Sequence, residues 1–192
     1  MKKRLLTSVI VVLTVLELML VLLSWILSSM MAEGVRSLLS SEGIRWFFGQ
    51  YVQLLQSPFL ISLLLLSFAS GVFVKSGILH KPTVYRDRIA QRVAAGMLVI
   101  YLVVLSSLTL FPHAILLSAT GTLFPSPFSK ALGPLVAFGM ILVATVYGVI
   151  ARTYTSVSAV IDASVWGLAK AAPLLLVYVF FVQFYVSLRF VF

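Results

Sequence analysis

The chain contains five long apolar stretches, and most of its positive charge lies in the breaks between them. Four of these stretches contain no Asp, Glu, Lys or Arg: Ser57–Val74, Val93–Pro112, Ala131–Ala151 and Ala171–Leu188. The fifth, Leu5–Met31, contains Glu17 as its single charged residue. Because about 20 apolar residues of helix cross the roughly 30 Å hydrocarbon core of a bilayer, each stretch is about long enough for one span. The pattern predicts an all-α integral membrane protein, since the lipid interior offers no water to an unpaired backbone.

We expect about five transmembrane helices in a single transmembrane domain that covers residues 1–192. The predicted spans are about residues 5–31, 58–79, 90–112, 131–152 and 170–190. Proline is harmless in the first turn of a helix, where its missing N–H has no helical partner. We therefore interpret Pro58, Pro134 and Pro173 as marking the starts of spans.

Composition supports a membrane protein and limits the available chemistry. Of the 192 residues, 61% are hydrophobic and only 10% are charged, too few for the polar surface of a soluble domain of this size. The apolar runs are continuous and do not alternate, which argues against a β-barrel. There are no cysteines, so disulfides and thiolate metal ligands are excluded. The net charge is +9, and the basic residues flank the spans, which favours anionic lipid headgroups over nucleic acid as their partner.

The first apolar run is interpreted as an uncleaved span and not as a signal peptide. Met1–Arg4 resembles the positive start of a signal sequence, but the run that follows is much longer than the usual 7–15 residues or so and contains Glu17. Cytoplasmic loops of membrane proteins are enriched in Lys and Arg. A cytoplasmic N-terminus places ten basic residues inside and four outside, which predicts an inner or plasma membrane protein with its C-terminus outside. If the last stretch only dips into the membrane, the C-terminus lies inside instead.

Two segments between the spans have the pattern of short interfacial amphipathic helices. Ser40 and Glu42 are typical of a helix start, and Gly43–Leu55 follows with apolar residues at helical spacing. Thr153–Gly167 is the second candidate. A small hairpin is also predicted between Ile115–Leu117 and Thr122–Phe124.

Glu17 is the first candidate functional residue. A carboxyl near the middle of the membrane costs about 2.5–3.5 kcal/mol on insertion scales, and it is expected to be neutral unless it is paired or hydrated. Thr14, Glu17, Ser24 and Ser28 fall within about 80° of one helical face. This polar stripe predicts either a proton-linked or ion-linked site or a hydrogen-bonded contact between helices or subunits.

The second half of span two contains a cluster of small residues, Ser67-Phe68-Ala69-Ser70-Gly71. The four-residue spacing of Ser67 and Gly71 is typical of closely packed helices, while a broken helix that binds an ion is the alternative. The candidate intramembrane site is therefore Glu17, Thr14, Ser24, Ser67 and Ser70. We expect no bound metal, no cofactor and no enzyme activity, because five acidic residues and two histidines form no catalytic or metal-binding arrangement.

Two stretches resemble the aminobenzoyl-glutamate transporter (AbgT) family. The first runs from Leu38-Leu39-Ser40-Ser41-Glu42-Gly43-Ile44-Arg45-Trp46-Phe47 through Ser67–Gly71 to Lys75-Ser76-Gly77-Ile78-Leu79. The second begins near Gln91-Arg92 and continues through Pro125-Ser126-Pro127-Phe128-Ser129-Lys130 and Pro134-Leu135 to Tyr147-Gly148, and the Trp166–Gln183 region is similar to the helix that follows. The resemblance covers most of residues 35–185.

The resemblance implies a small relative of aminobenzoyl-glutamate and antimetabolite transporters. Members of the family are about two to three times longer, and the hairpins that hold their substrate and coupling ion have no match here. The chain is therefore expected to keep mainly the framework helices, which are implicated in dimer formation, and no substrate-contact residue is carried over. Two functions follow: transmembrane transport, or a non-transporting membrane scaffold or dimerisation protein. Both imply a lipid bilayer and either a homodimer or a membrane-protein partner.

Overall fold

The computed structural model describes residues 2–55, 57–82, 84–110 and 126–192, and these residues form helices joined by short connections. The six helices are α1 (Lys2–Ser29), α2 (Ser41–Leu55), α3 (Pro58–Ser76), α4 (Tyr85–Leu110), α5 (Pro127–Ile150) and α6 (Val157–Val191). The prediction of an all-α fold is confirmed. The predicted hairpin around residues 115–124 lies outside the described residues.

Five of these helices are long and apolar enough to cross a membrane. They are Leu5–Ser29, Pro58–Ser76, Tyr85–Thr109, Phe128–Ile150 and Val157–Val191. The protein is therefore a multi-pass membrane protein whose helices contact the lipid bilayer, as the five apolar stretches predict. The remaining helix, α2, begins where the sequence indicates, because the Ser40 hydroxyl accepts a hydrogen bond from the Gly43 N–H at 3.0 Å.

The prediction that Pro134 begins a span is wrong, because α5 begins seven residues earlier, at Pro127. Ser126 and Ser129 form a reciprocal capping box: the Ser126 hydroxyl accepts from the Ser129 N–H at 3.2 Å, and the Ser129 hydroxyl accepts from the Ser126 N–H at 3.1 Å. This cap satisfies the N–H of Ser129 in the first turn and the N–H of Ser126 itself. Pro134 consequently lies inside the helix.

The prediction of a separate interfacial helix at Thr153–Gly167 is also wrong. The chain forms one continuous helix, α6, from Val157 to Val191, and Pro173 lies within it. Alanines flank Lys170, where the last span was predicted to begin, and alanine is the strongest helix former. Lys170 marks the edge of an apolar run, but its charged side chain does not interrupt the hydrogen bonds of the helix backbone. Membrane helices also tolerate an internal proline, because other groups satisfy the freed carbonyl.

The chain divides into two compact units, Met1–Leu60 with Ala172–Phe192, and Ile61–Ala171. In the first unit, Leu20 of α1, Leu38 of the connection and Val191 of α6 form a buried cluster. Beside it, the Trp46 ring stacks on the Phe190 ring with 4.2 Å between their centroids. These contacts hold α1, α2 and the end of α6 together. A single transmembrane domain over residues 1–192 stays a prediction.

The described residues of the second unit form two clusters of buried side chains. The first joins α4 to α5 and consists of Ala90, Ala94, Val143, Tyr147 and Ala151. The second joins α3, α5 and α6 through Val72, Ala144, Tyr154 and Ala163. The Tyr154 hydroxyl donates to the Val72 carbonyl at 2.6 Å, and burial raises the pKa of this phenol. The bond links the connection before α6 to the backbone of α3.

Two helix backbones approach closely in this second unit, at Gly71 of α3 and Gly167 of α6. A Cβ atom built on Gly71 would lie 2.6 Å from both the Cα and the nitrogen of Gly167, and it would also overlap the Ala163 carbonyl oxygen. A Cβ atom on Gly167 would meet Gly71 in the same way. Glycine at both positions lets the two helices pack with their backbones in contact.

Candidate functional site

Glu17 lies in the middle of α1, on the side that faces the last turns of α6. The hydroxyl of Ser187, a residue with no exposed surface, donates to Glu17 Oε1 at 2.6 Å. The Gln183 side-chain amide, one turn earlier on α6, donates from Nε2 to the Ser187 oxygen at 3.1 Å. The three side chains form a chain of hydrogen bonds in which Ser187 is both donor and acceptor. Within the first unit, this chain fastens α1 to α6.

The second carboxyl oxygen of Glu17 differs sharply from the first. Oε2 is buried and has no hydrogen-bond partner among the residues that the structure describes. Glu17 also lines a cavity of about 180 Å³. The other lining residues are apolar: Val21, Leu38, Leu39, Ile44, Phe47 and Phe48. An unsatisfied buried polar atom is costly, and such atoms are concentrated where a protein binds a ligand, water or a proton.

Thr14 and Ser24, the other two candidate site residues on α1, form their hydrogen bonds outside this network. The Thr14 hydroxyl is exposed and donates to the Ile10 carbonyl of its own helix at 2.9 Å. The Ser24 hydroxyl is buried, donates to the Val21 carbonyl at 2.8 Å and accepts from the Leu38 N–H at 3.2 Å. Ser24 therefore anchors the connection after α1, while Thr14 makes only a local contact.

The two predicted site residues on α3 lie in the second unit. The Ser67 hydroxyl donates to the Leu63 carbonyl at 2.6 Å, and the Ser70 hydroxyl donates to the Ser67 carbonyl at 2.8 Å. Both bonds remain within α3, which is helical throughout this segment. The sequence predicts that Ser67 and Ser70 lie in one site with Glu17. These residues belong to different units, so their proximity stays a prediction.

Sequence reasoning missed Ser187 and Gln183, the two residues that contact the carboxyl network. They are four residues apart and therefore lie on one face of α6, in a run without charges. A pair of polar residues at this spacing within an apolar span is the sequence feature that could have identified them. Part of the site is also defined by the apolar wall of the cavity, which α2 and the preceding connection supply.

The chemistry of the site is that of a single carboxyl group with neutral hydrogen-bond partners. Among the described residues, no group of three or more His, Asp or Glu side chains is placed to hold a metal ion. One oxygen of the Glu17 carboxyl is held by the Ser187 hydroxyl, and the residue also lines a cavity.

No protein-family profile matches this sequence, and no curated protein matches it either. The fold is similar to that of a solved structure, the YdaH transporter from Alcanivorax borkumensis, with a TM-score of 0.74. The alignment covers 93% of this chain and 70% of the YdaH chain at 15% sequence identity. At this identity the likeness establishes the fold alone.

The chain thus belongs, by fold, to the class of polytopic helical membrane proteins that includes transporters. More narrowly, YdaH is an AbgT-family transporter, so the chain has an AbgT-like fold, as the two resembling stretches predict. That the chain keeps mainly the framework helices of the family stays a prediction.

Proposed function

We propose that the protein functions in transmembrane transport of a small organic solute, with aminobenzoyl-glutamate as the first substrate to test. The observation that carries this proposal is the likeness of 93% of the chain to a transporter structure. The protein acts without enzymatic chemistry in the cell membrane, the inner membrane where there are two, with its N-terminus in the cytoplasm. Ten of its fourteen Lys and Arg residues then lie on the cytoplasmic side.

Glu17 is the residue that we assign to coupling. An ionisable group within a transmembrane segment is costly, and such groups commonly belong to proton relays or ion pathways. Here Ser187 holds one carboxyl oxygen, the other has no described partner, and the Glu17 residue lines a cavity. Loading and unloading a proton at the free oxygen would not require the bond to Ser187 to break.

Replacement of Glu17 by glutamine is expected to abolish proton-driven flux while the protein stays folded. Glutamine keeps the size of the side chain and still accepts from Ser187, but it cannot exchange a proton at neutral pH. The purified protein is placed in liposomes with a pH gradient, and uptake of radiolabelled aminobenzoyl-glutamate is measured. We expect saturable flux for the unaltered protein and the rate of protein-free liposomes for Glu17→Gln.

The matched control for this experiment is Thr14→Val, which removes a hydroxyl from the same helix one turn away. Its flux should equal that of the unaltered protein. Saturable flux that persists in Glu17→Gln would contradict the coupling role of Glu17 and leave transport itself standing. Absence of flux from the folded, unaltered protein would contradict autonomous transport of this substrate.

The second candidate function is a non-transporting membrane scaffold or dimerisation protein. Its specific support is that Ser187 packs against Glu17 and that the adjoining cavity is apolar apart from Glu17 itself. Such a cavity offers little to replace the hydration shell of a dicarboxylate. A scaffold should show no flux, and it should be recovered as a homodimer or with a membrane-protein partner when it is extracted under mild conditions.

A further inference from the structure

Two lysines converge on one tryptophan within the second unit. Lys75 lies in the last turn of α3, and its Nζ is 5.0 Å from the centroid of the Trp166 ring on α6. Lys170, one turn further along α6, places its Nζ 5.5 Å from the same centroid. Both distances fall within the range of cation–π attraction. The ring therefore gathers two positive charges at one place.

The two ammonium groups are not neutralised by a carboxylate. Among the described residues, no ion pair within 4.0 Å involves either lysine. Lys75 and Trp166 line a cavity of about 370 Å³, and Thr153 and Asp162 line it too. Lys170 does not line this cavity but adds a second positive charge at the same ring, so the cluster around Trp166 has two lysines and the single carboxylate of Asp162. Like charges held this close repel one another, so a bound anion would be stabilised here.

The depth of the cluster identifies the source of that anion. Lys75 directly follows the uncharged run Ser57–Val74, and Lys170 directly precedes the uncharged run Ala171–Leu188. Both lysines therefore stand at the boundary between an apolar span and water. Tryptophan is enriched at the same level, where the lipid headgroups lie. A phospholipid supplies a phosphate at this depth without leaving the bilayer.

We propose that Lys75, Lys170 and Trp166 form a binding site for an anionic phospholipid of the phosphatidylglycerol type. The lysines bind the phosphate of the headgroup. A headgroup with one negative charge neutralises the excess positive unit, which a net-neutral headgroup does not. This site does not depend on the transport function or on Glu17.

The experiment uses Trp166 as its own reporter. The protein contains three tryptophans, so Trp25→Phe and Trp46→Phe leave Trp166 as the single source of fluorescence. Phenylalanine keeps the stacking of residue 46 on Phe190. The full chain is placed in vesicles in which either phosphatidylglycerol or phosphatidylcholine carries bromine in its chains. The quenching of Trp166 by each lipid gives its relative binding constant.

Brominated phosphatidylglycerol is expected to bind more tightly than brominated phosphatidylcholine, and Lys75→Gln with Lys170→Gln should remove that preference. A basic residue near a membrane surface contributes about 1 kcal/mol, which corresponds to about a fivefold preference per lysine. The matched control is Lys81→Gln with Arg88→Gln, which removes the same charge from exposed positions outside the cluster. This control should keep most of the preference.

Three outcomes would overturn the proposal. If both double variants lose the preference for phosphatidylglycerol to the same extent, the lysines act only by general attraction to the membrane surface. If excess inorganic phosphate displaces the lipid, the site binds the free ion. The variant Asp162→Asn should strengthen the preference or leave it unchanged. A weaker preference, with phosphatidylethanolamine bound best, would instead show that Asp162 binds an ammonium headgroup. If the single-tryptophan protein fails to fold, native mass spectrometry can replace the fluorescence measurement. The variant with Lys75→Gln and Lys170→Gln should then retain less phosphatidylglycerol than the unaltered protein, and equal retention would overturn the proposal.

Discussion

Replacement of Gly71 by alanine is expected to destabilise the protein severely, although the change adds a single methyl group. That methyl would lie 2.6 Å from the Cα and nitrogen of Gly167 and would overlap the carbonyl oxygen of Ala163. All of these atoms belong to the backbone of α6, so none can move aside by rotating a side chain. We expect a cost at or above the upper end of the about 1–3 kcal/mol usual for overpacking. The thermal midpoint of the purified protein in detergent measures it.

The matched control for this prediction is Gly96→Ala on α4. No heavy atom lies within 4 Å of a Cβ built at Gly96, apart from its own neighbours and helix backbone. Alanine is favoured over glycine inside a helix by about 1 kcal/mol, so this variant should be as stable as the unaltered protein or more so. Equal thermal midpoints for Gly71→Ala and Gly96→Ala would contradict the backbone contact between Gly71 and Gly167.

The Gly71 contact shows what a sequence pattern can predict about packing in a membrane. The spacing of Ser67 and Gly71 indicated a close helix contact, and Gly71 does lie against another helix. The spacing could not identify that helix, because a stripe of small residues fits any partner of similar shape. The partner residue, Gly167, fell in a segment that was wrongly interpreted as a separate interfacial helix.

The number and type of the spans could be predicted because one physical constraint dominates them. Backbone groups in lipid must be satisfied internally, so a long apolar run becomes a helix almost regardless of its local propensity. Helix ends lie near water, where that constraint is absent and local chemistry decides. Because Ser126 and Ser129 form a capping box, α5 begins at Pro127 and not at Pro134. Pro173 likewise lies inside α6 and does not mark its start.

The sequence alone predicts Glu17 as a site residue but does not predict its hydrogen-bond partner. Glu17 stands out in any reading of the sequence, because it is the one charge in an apolar run. Its partner Ser187 is 170 positions further along the chain, and serine in a membrane helix usually bonds to its own backbone. Several serines here do so, including Ser67 and Ser70. Only the fold distinguishes the serine that bonds across helices from those that bond within one.

Replacement of Ser187 by alanine is the second change for which we expect a large effect. It leaves Glu17 Oε1 without its donor and removes the acceptor of the Gln183 amide at a position with no exposed surface. Because Oε2 already lacks a described partner, both carboxyl oxygens become unsatisfied. Unsatisfied buried groups cost about 1–3 kcal/mol each, so the free energy of unfolding should fall by roughly that amount or more. Reversible unfolding in mixed micelles measures this fall.

A double-mutant cycle separates the hydrogen bond from the general effect of altering a buried residue. In a Glu17→Leu background the serine has no carboxyl to bond, so Ser187→Ala should cost much less there than in the unaltered protein. The control Thr14→Val removes an exposed hydroxyl that bonds within its own helix, and it should change the free energy of unfolding by less than about 0.5 kcal/mol. Equal costs of Ser187→Ala in both backgrounds would contradict the bond to Glu17. A large difference would establish that this carboxyl holds α1 to α6, whether or not it also carries a proton.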